Sequence, residues 1–156
     1  MAYAIVPRAT GIARGVATYM CMVPEHGVVE IGRIWLSPAL QRTREATEAI
    51  YLMCRHAFDG LGCRRVEWRC NVDNAPSRRA ALRFGFVFEG VSRQHRVANG
   101  RNRDTAWFSI IDGEWPGVRA GFEAWLSPGN FDGSGRQRRS LSELRARPSE
   151  AASEAR

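Results

Sequence analysis

The chain has 156 residues, the size of one ordinary domain, and 44% of them are hydrophobic, enough to bury a core. All 23 basic residues are arginine, and the formal net charge is +7. This charge suits an anionic ligand, but it is dispersed rather than interleaved with aromatics, so a nucleic-acid-binding module is the weaker interpretation. No apolar run approaches the roughly 20 residues of a membrane-spanning helix, and no signal-peptide pattern is present, so we expect a cytoplasmic protein without a membrane span.

The four cysteines are Cys21, Cys54, Cys63 and Cys70. They form no C-x-x-C pair, and no histidine lies at ligand spacing from any of them, whereas protein metal sites depend on such spacing. We therefore expect no metal, and we expect the thiols to be reduced and partly buried.

The first part of the chain alternates strand patterns with turns. β-Branched and aromatic residues predict strands at 3–6, 15–23 and 28–36, and a segment with Pro and Gly at 24–27 predicts a turn. Three consecutive strands joined by short connections predict an antiparallel meander.

Two helices follow, each placed between strands. Apolar residues at three- and four-residue spacing predict the first helix from about Arg44, with Gly60 and Gly62 ending it. The second helix starts near Asn74 and ends at Gly85. The remaining expected elements are strands at 64–72, 86–91 and 105–111, with a loop at 98–104. The order β-β-β-α-β-α-β-β predicts a mixed sheet in a layered α/β or α+β domain with a right-handed crossover.

The composition changes after Pro116, and we divide the chain there into a domain at 1–116 and a C-terminal extension at 117–156. Within the extension, segment 118–126 predicts a short amphipathic helix. Ser140 and Glu143 match a capping box and predict one more helical turn. The last ten residues have the composition of a disordered tail.

The starts of the two helices are candidate anion sites. A helix N-terminus offers unpaired backbone N–H groups and a partial positive charge, which suit phosphate, and Arg42 and Arg44 add charge at the first helix. At the second helix, Asn74 predicts an N-cap and Ser77 lies near the third helical position. Taken alone, each helix start is better explained by ordinary capping, by Thr43 and Asn74. Because parallel strands would bring both starts to one sheet edge, where open α/β sheets bind ligands, the two signals support each other.

Glu30 lies between apolar neighbours within a strand. Carboxylates are uncommon in strands, and one that faces a cleft can act as a general base. A solvent-facing position, or an ion pair with Arg33 or with an arginine of a neighbouring strand, explains the residue equally well. In a regular pleat, Glu30 would share its face with alternate residues: Val28, Gly32, Ile34 and Leu36.

Three motif-rich segments lie in order between residues 3 and 116. They are VEIGRIWLSP followed by LQRTREATEA, then VEWRCNVDNAPSRRAALRFGFVFEG, then GRNRDTAWFSIIDGEWP. The N-x-x-S…G-F-x-x-E-G pattern with the R-x-R-D-x-x-x-F-S block is fairly specific. Together these segments resemble the GCN5-related N-acetyltransferase (GNAT) superfamily, and more closely its ribosomal-protein acetyltransferase branch of the RimJ/RimL type.

The resemblance implies a mixed, mostly antiparallel sheet with helices on both faces, and an enzyme that transfers an acetyl group from acetyl-CoA to a primary amine. Acetyl-CoA would lie in a V-shaped opening between strands 28–36 and 64–72, and no metal is implied. The residues implied to contact it are the backbone of Ile34, Trp35 and Leu36, the pyrophosphate loop Gln41, Arg42, Thr43, Arg44, Glu45, Ala46 and Thr47, and the pantetheine contacts Asn74 and Ser77.

The resemblance also implies two catalytic roles. Glu30, directly or through water, would take a proton from the amine. Ser77 would steady the departing thiolate as a hydroxyl donor. Direct attack by the amine needs no covalent enzyme intermediate.

Two departures from the family pattern shape what we expect. Arg44 stands where the pyrophosphate loop usually has glycine, so phosphate contacts would come from arginine side chains. The strand and helices that usually precede the meander are not in the sequence, which predicts an N-terminally incomplete sheet and an exposed edge that favours a homodimer. These departures leave open an alternative, a degenerate, non-catalytic module that binds CoA or a protein partner.

Overall fold

The computed structural model describes residues 1–145, which form a six-stranded sheet with helices. The strands are β1 (Ala2–Ile5), β2 (Gly15–Val23), β3 (Val28–Leu36), β4 (Arg65–Asn71), β5 (Val87–Ala98) and β6 (Arg101–Ile111). The helices are α1 (Arg44–Arg55), α2 (Ala75–Phe84), α3 (Trp115–Leu126) and α4 (Leu141–Leu144), and His56–Gly60 continues α1 as a π-helical turn. The predicted order of strands and helices through β6 is confirmed.

The strand order in the sheet is β1-β2-β3-β4-β6-β5. Strands β3 and β4 run parallel, whereas the other neighbours in the described sheet run antiparallel. The expected mixed, mostly antiparallel sheet in a layered α/β domain is therefore confirmed.

Strands β5 and β6 extend further than predicted. A hairpin is present where one was expected at 98–104, but its loop is shorter than predicted. A two-residue turn, Asn99-Gly100, joins them, with φ of 52° and 71° at its two residues. Positive φ at both central residues is the requirement of a type I′ hairpin turn, which Asn-Gly meets well. The helix predicted at 118–126 also starts earlier, at Trp115, with Pro116 in its first turn, where proline needs no N–H partner.

The helices of the described chain lie on one face of the sheet. Tyr19 of β2 donates from its hydroxyl to the carbonyl of Met53 in α1, at 2.5 Å. Trp68 of β4 donates from its indole N–H to the hydroxyl of Ser77 in α2, at 3.0 Å. The strand register places Tyr19 and Trp68 on the same face. The expectation of helices on both faces is thus not met within residues 1–145.

Right-handed crossovers explain this arrangement. The β3-α1-β4 and β4-α2-β5 connections both advance across the sheet in the same direction. Two right-handed crossovers that advance in one direction must lie on the same face. We call the opposite face, which carries Glu30, Glu67 and Arg69, the open face.

Helix α3 packs onto the same layer through aromatic side chains. Phe122 lies 5.4 Å from Tyr51 of α1 and 6.2 Å from Phe84 of α2, measured between ring centroids. Trp115 stacks on Phe58 at 5.0 Å. The described part of the C-terminal extension therefore shares one core with the preceding residues, and the proposed boundary at residue 116 stays a prediction. The predicted Ser140–Glu143 capping box is present at α4, and the predicted disorder of the last ten residues lies outside the described chain.

Three non-glycine residues with positive φ lie at register shifts in the strands: Cys21 (46°), Arg33 (47°) and Gln94 (53°). The shift at Arg33 adds one residue to β3 between Gly32 and Trp35, relative to β2. The regular alternation predicted for 28–36 is therefore wrong beyond Gly32. Such bulges bend a strand and re-aim the residues that follow.

All four cysteines are free thiols, and Cys54 and Cys70 are buried. Cys21 is exposed at its bulge, so the expectation of partly buried thiols is wrong for this residue. Within residues 1–145, no group of three or more His, Cys, Asp and Glu side chains could hold a metal ion. No helix in this part of the chain has the length and apolarity needed to cross a bilayer.

Two glycines of α3, Gly121 and Gly117, test how closely α3 packs against Arg145, the residue after α4. A Cβ at Gly121 would lie 2.9 Å from the Cα of Arg145, whereas one at Gly117 would meet nothing within 4 Å. We expect Gly121→Ala to lower the free energy of unfolding by about 1–3 kcal/mol through overpacking. We expect Gly117→Ala to leave it unchanged or raise it by up to about 1 kcal/mol through helix propensity. Urea unfolding measures both, and equal effects would contradict the close approach.

Candidate functional site

Strands β3 and β4 pair over three residues and then part. Val28–Glu30 pairs with Arg65–Glu67, after which β3 continues to Leu36 and β4 to Asn71 without pairing with each other. The bulge at Arg33 bends β3 within the unpaired stretch. The backbone of 34–36 on the side of β4 has no strand partner in the described chain. An opening with unpaired N–H and C=O groups can bind an extended amide-containing ligand as an added strand would bind.

The start of α1 lies at one side of this opening. Thr43 caps the helix, because its hydroxyl oxygen accepts from the backbone N–H of Ala46 at 3.2 Å. The N–H groups of Arg44 and Glu45, in the first turn, have no intrahelical acceptor. Thr47 is different, since its buried hydroxyl accepts from Arg83 at 3.1 Å and donates to the Thr43 carbonyl. The loop therefore offers backbone groups to an anion, while the Thr47 hydroxyl is already engaged.

Arg44, which replaces the family's glycine, adopts a helical backbone at the first position of α1. The positive φ of the loop, 62°, occurs instead at Arg42. The Arg44 guanidinium turns toward the C-terminal extension, where it donates to the Leu126 carbonyl and lies 4.8 Å from the centre of the Phe131 ring. The replacement therefore joins the loop to the extension and requires no glycine-like conformation. Gln41 donates to the Leu36 carbonyl at 3.1 Å and ties the loop to the end of β3.

The start of α2 lies at the other side of the opening. Asn74 is the N-cap, because its side-chain oxygen accepts from the Ser77 backbone N–H at 3.1 Å. The Ser77 hydroxyl oxygen accepts from Trp68, and an indole N–H can only donate. The hydroxyl proton of Ser77 has no acceptor within residues 1–145, so it can be donated to a group in the opening. The predicted Asn74 cap is therefore confirmed at this helix, and the ligand contact stays a prediction.

Glu30 is 3% exposed and lies where β3 and β4 part, on the open face. Its carboxylate forms an ion pair with Arg69 of β4, which also contacts the Cys21 sulfur. The Arg69 guanidinium lies 4.8 Å from the centre of the Trp107 ring. Hydrogen bonding to Glu30 raises the pKa of Arg69 above its ordinary value. Of the two explanations for Glu30, the ion pair with a neighbouring-strand arginine is present, and Arg33 is not the partner.

A second ionic cluster continues along the open face. Arg65 donates to both oxygens of Glu89, at 2.7 and 2.5 Å, and its Nε donates to Glu67 at 2.9 Å. Ser109 also donates to Glu89, at 2.7 Å. The bond from Arg65 holds the pKa of Glu89 below its usual range. Glu89 is therefore held ionised by a partner within the chain.

A cleft of ≈ 580 Å³ opens beside the start of α1. Its walls come from two parts of the chain, the loop 42–45 and the segment 125–137. Sequence reasoning missed the second wall, because segment 125–137 lies outside the motifs that carry the family resemblance. Sequence reasoning also missed Arg69 as the partner of Glu30. The strict alternation of β4, with Trp68 buried, places Arg69 on the opposite face and was the available signal.

Comparison with protein families identifies the family of this chain. The family model described as an acetyltransferase (GNAT) domain matches residues 1–87, more than half of the chain. The chain belongs to the GNAT acetyltransferase family. The sequence-based identification of the superfamily is thus confirmed.

Individual relatives agree with this assignment. The crystal structure of a GCN5-related N-acetyltransferase from Brucella melitensis is 50% identical, with a TM-score of 0.91, over 93% of this chain and 66% of that one. The ribosomal-protein-serine acetyltransferase of Escherichia coli is 31% identical over 64% of this chain and 56% of its own length. An uncharacterised N-acetyltransferase of Bacillus subtilis, YoaA, is 33% identical over 62% of this chain and 54% of its own length. The chain thus spans about half the length of these two curated relatives.

The Glu30–Arg69 pair predicts strong coupling in a double-mutant cycle. Arg69→Met leaves a carboxylate buried without its partner, and we expect it to lower the free energy of unfolding by about 3–5 kcal/mol. Adding Glu30→Gln removes the buried charge and should restore much of that loss. Urea unfolding of the wild type, both single variants and the double variant gives the coupling energy. Additive effects of the two substitutions would contradict the pairing.

Proposed function

We propose that the protein is an N-acetyltransferase that moves an acetyl group from acetyl-CoA to a primary amine by direct attack. The observation that carries the proposal is the parting of β3 and β4 in a GNAT-family chain, with capped helix starts on both sides of the opening. The opening has the unpaired backbone that amides need, and the first helix start has the N–H groups that a pyrophosphate needs.

We assign residues of this chain to each part of acetyl-CoA. Backbone groups of Ile34, Trp35 and Leu36 would bind the acetyl carbonyl and the pantetheine amides. The pyrophosphate would be bound by the loop Gln41, Arg42, Thr43, Arg44, Glu45, Ala46 and Thr47. Asn74 and Ser77 would line the pantetheine arm. For Thr47 this binding comes through the backbone, because its hydroxyl is engaged by Arg83.

The chemistry that these residues support is a single displacement. A neutral primary amine attacks the thioester carbonyl carbon, the C–N bond forms, and the C–S bond breaks. Glu30, directly or through a water, accepts the proton that the amine loses. Ser77 donates its free hydroxyl hydrogen in a hydrogen bond to the departing sulfur, which leaves as the CoA thiolate. The thiolate takes a proton from solvent, and Glu30 releases to solvent the proton that it accepted. The ion pair with Arg69 holds the Glu30 carboxylate at the point where β3 and β4 part.

The acceptor is proposed only as a class. The Escherichia coli relative is named for a ribosomal-protein serine, and for this chain we propose a primary amine of a protein N-terminus or of a small molecule. We also propose a cytoplasmic homodimer, because β1 is an edge strand that pairs on one side within the described sheet.

A non-catalytic role is the second candidate, and the Glu30–Arg69 ion pair favours it. The Arg69 guanidinium occupies one oxygen of the Glu30 carboxylate, so that oxygen is not free to contact an amine or a water. In this role the chain would bind CoA or a protein partner without turnover. Binding of acetyl-CoA without release of the thiol, across a panel of amines, would support this second candidate.

Acetyl-CoA titration with a Glu30→Gln variant tests the proposed enzyme. We expect wild-type protein to bind acetyl-CoA, as measured by isothermal titration calorimetry, and to release thiol in the presence of a primary amine. Glu30→Gln should keep the affinity and lower kcat by about 100-fold or more, the usual contribution of a general base. Wild-type activity should rise with pH as the acceptor amine loses its proton, because only the neutral amine attacks. No binding at hundreds of micromolar, or unchanged turnover in the variant, would contradict these roles.

Ser77→Ala tests the proposed hydroxyl donor, but it also leaves the Trp68 N–H without its partner. That loss should lower the free energy of unfolding by about 1–3 kcal/mol. The double variant Trp68→Phe/Ser77→Ala removes both groups and should recover part of the stability. We expect kcat to stay low in both variants, because both lack the donor to sulfur. If the double variant regained wild-type kcat, the role of Ser77 would be structural only.

A further inference from the structure

The cleft beside α1 has a wall that the family motifs do not supply. Segment 125–137 contributes Trp125, Phe131, Arg136 and a neighbouring Gly and Gln to it, and the loop 42–45 contributes the other wall. The two walls touch through Arg44, which donates to the Leu126 carbonyl and stacks on Phe131. The cleft is therefore continuous with the loop that we propose for the pyrophosphate.

The second wall is held in place by its own hydrogen bonds. Asn130 is buried, and its amide donates to the carbonyls of Trp125 and Arg139, both at 3.1 Å. The Trp125 indole donates to Gln137 at 2.8 Å. The Asp132 carboxylate accepts from the Arg136 backbone N–H at 3.0 Å. Arg136 is thus presented from an organised loop rather than from a loose tail.

The lining of the cleft is basic and partly aromatic. The lining includes three arginines, Arg42, Arg44 and Arg136, and one carboxylate, Glu45. None of the three arginines forms a salt bridge within residues 1–145. Guanidinium groups bind phosphate oxygens and also stack on planar rings. Such a lining suits a ligand that carries both a phosphate and an aromatic base.

We propose that this cleft binds the adenosine 3′-phosphate end of CoA, with Arg136 of the C-terminal segment as the contact to the 3′-phosphate. This inference rests on the proposed function and deepens it. In CoA the ribose 3′-phosphate and the adenine follow the pyrophosphate directly. A molecule whose pyrophosphate lies at the start of α1 therefore places these groups in the adjacent cleft. The extension then supplies part of the donor site, and Arg44 holds the two walls together.

Comparing acetyl-CoA with acetyl-dephospho-CoA, which lacks the 3′-phosphate, tests this assignment. We expect the wild type to bind acetyl-CoA about tenfold more tightly, as one charge-assisted phosphate contact would give. Arg136→Gln should weaken binding of acetyl-CoA about tenfold and leave binding of acetyl-dephospho-CoA unchanged. Isothermal titration at one fixed salt concentration gives all of these dissociation constants.

Arg138→Gln is the matched control. Arg138 lies on the same exposed loop and carries the same charge, but it is not part of the cleft lining. We expect this variant to keep the tenfold preference for acetyl-CoA. Equal weakening by both variants would show a net-charge effect and would overturn the assignment of Arg136. Thermal unfolding confirms that each variant is folded, and Arg136→Glu, which adds repulsion, should lower acetyl-CoA affinity further than Arg136→Gln.

The outcomes separate this inference from the proposed function. Wild-type protein that binds acetyl-CoA and acetyl-dephospho-CoA equally well overturns the cleft assignment and leaves the acetyltransferase proposal standing. Wild-type protein that binds neither compound overturns the proposed function and this inference together.

Discussion

The short parallel pairing of β3 with β4 is the constraint on which the candidate site depends. Three residue pairs hold the two strands together. Beyond Glu30, the side of β3 that faced β4 borders an opening, while its other side still pairs with β2. Because the two strands are parallel, the helices that follow them start at the same edge of the sheet. The caps by Thr43 and Asn74 then fix the two helix starts on the two sides of that opening.

The charges on the open face follow from the same register. Glu30 pairs in register with Glu67 of β4, and two neighbouring carboxylates repel unless cations separate them. Arg69 contacts Glu30, and Arg65 contacts Glu67 and Glu89. Each carboxylate therefore has a guanidinium partner. The buried charge of Glu30 is tolerated for this reason, since an unpaired charge at 3% exposure would strongly destabilise the fold.

Local sequence patterns predicted the strands and helices well, because the interactions that form them are between residues close in the sequence. Turn residues, apolar periodicity and caps placed the strands, α1 and α2, and Ser140 predicted α4. What could not be predicted depends on contacts between distant segments. The bulge at Arg33 breaks the alternation without any marking residue, and the partner of Glu30 requires the β3–β4 register. The placement of the helices on one face depends on the direction of both crossovers, and the second cleft wall depends on how α3 packs.

Arg44 belongs to the start of α1 and also contacts the C-terminal extension, and this has a thermodynamic consequence. Its backbone begins the helix that we propose binds pyrophosphate, while its guanidinium anchors the segment that follows α3. If acetyl-CoA binds more tightly when that segment is docked, then ligand binding and docking favour each other by the same factor. The ring of Trp125 lines the same cleft and donates to Gln137 of the docked segment. If acetyl-CoA binds there as we propose, the emission of Trp125, one of five tryptophans in the chain, should change with occupancy.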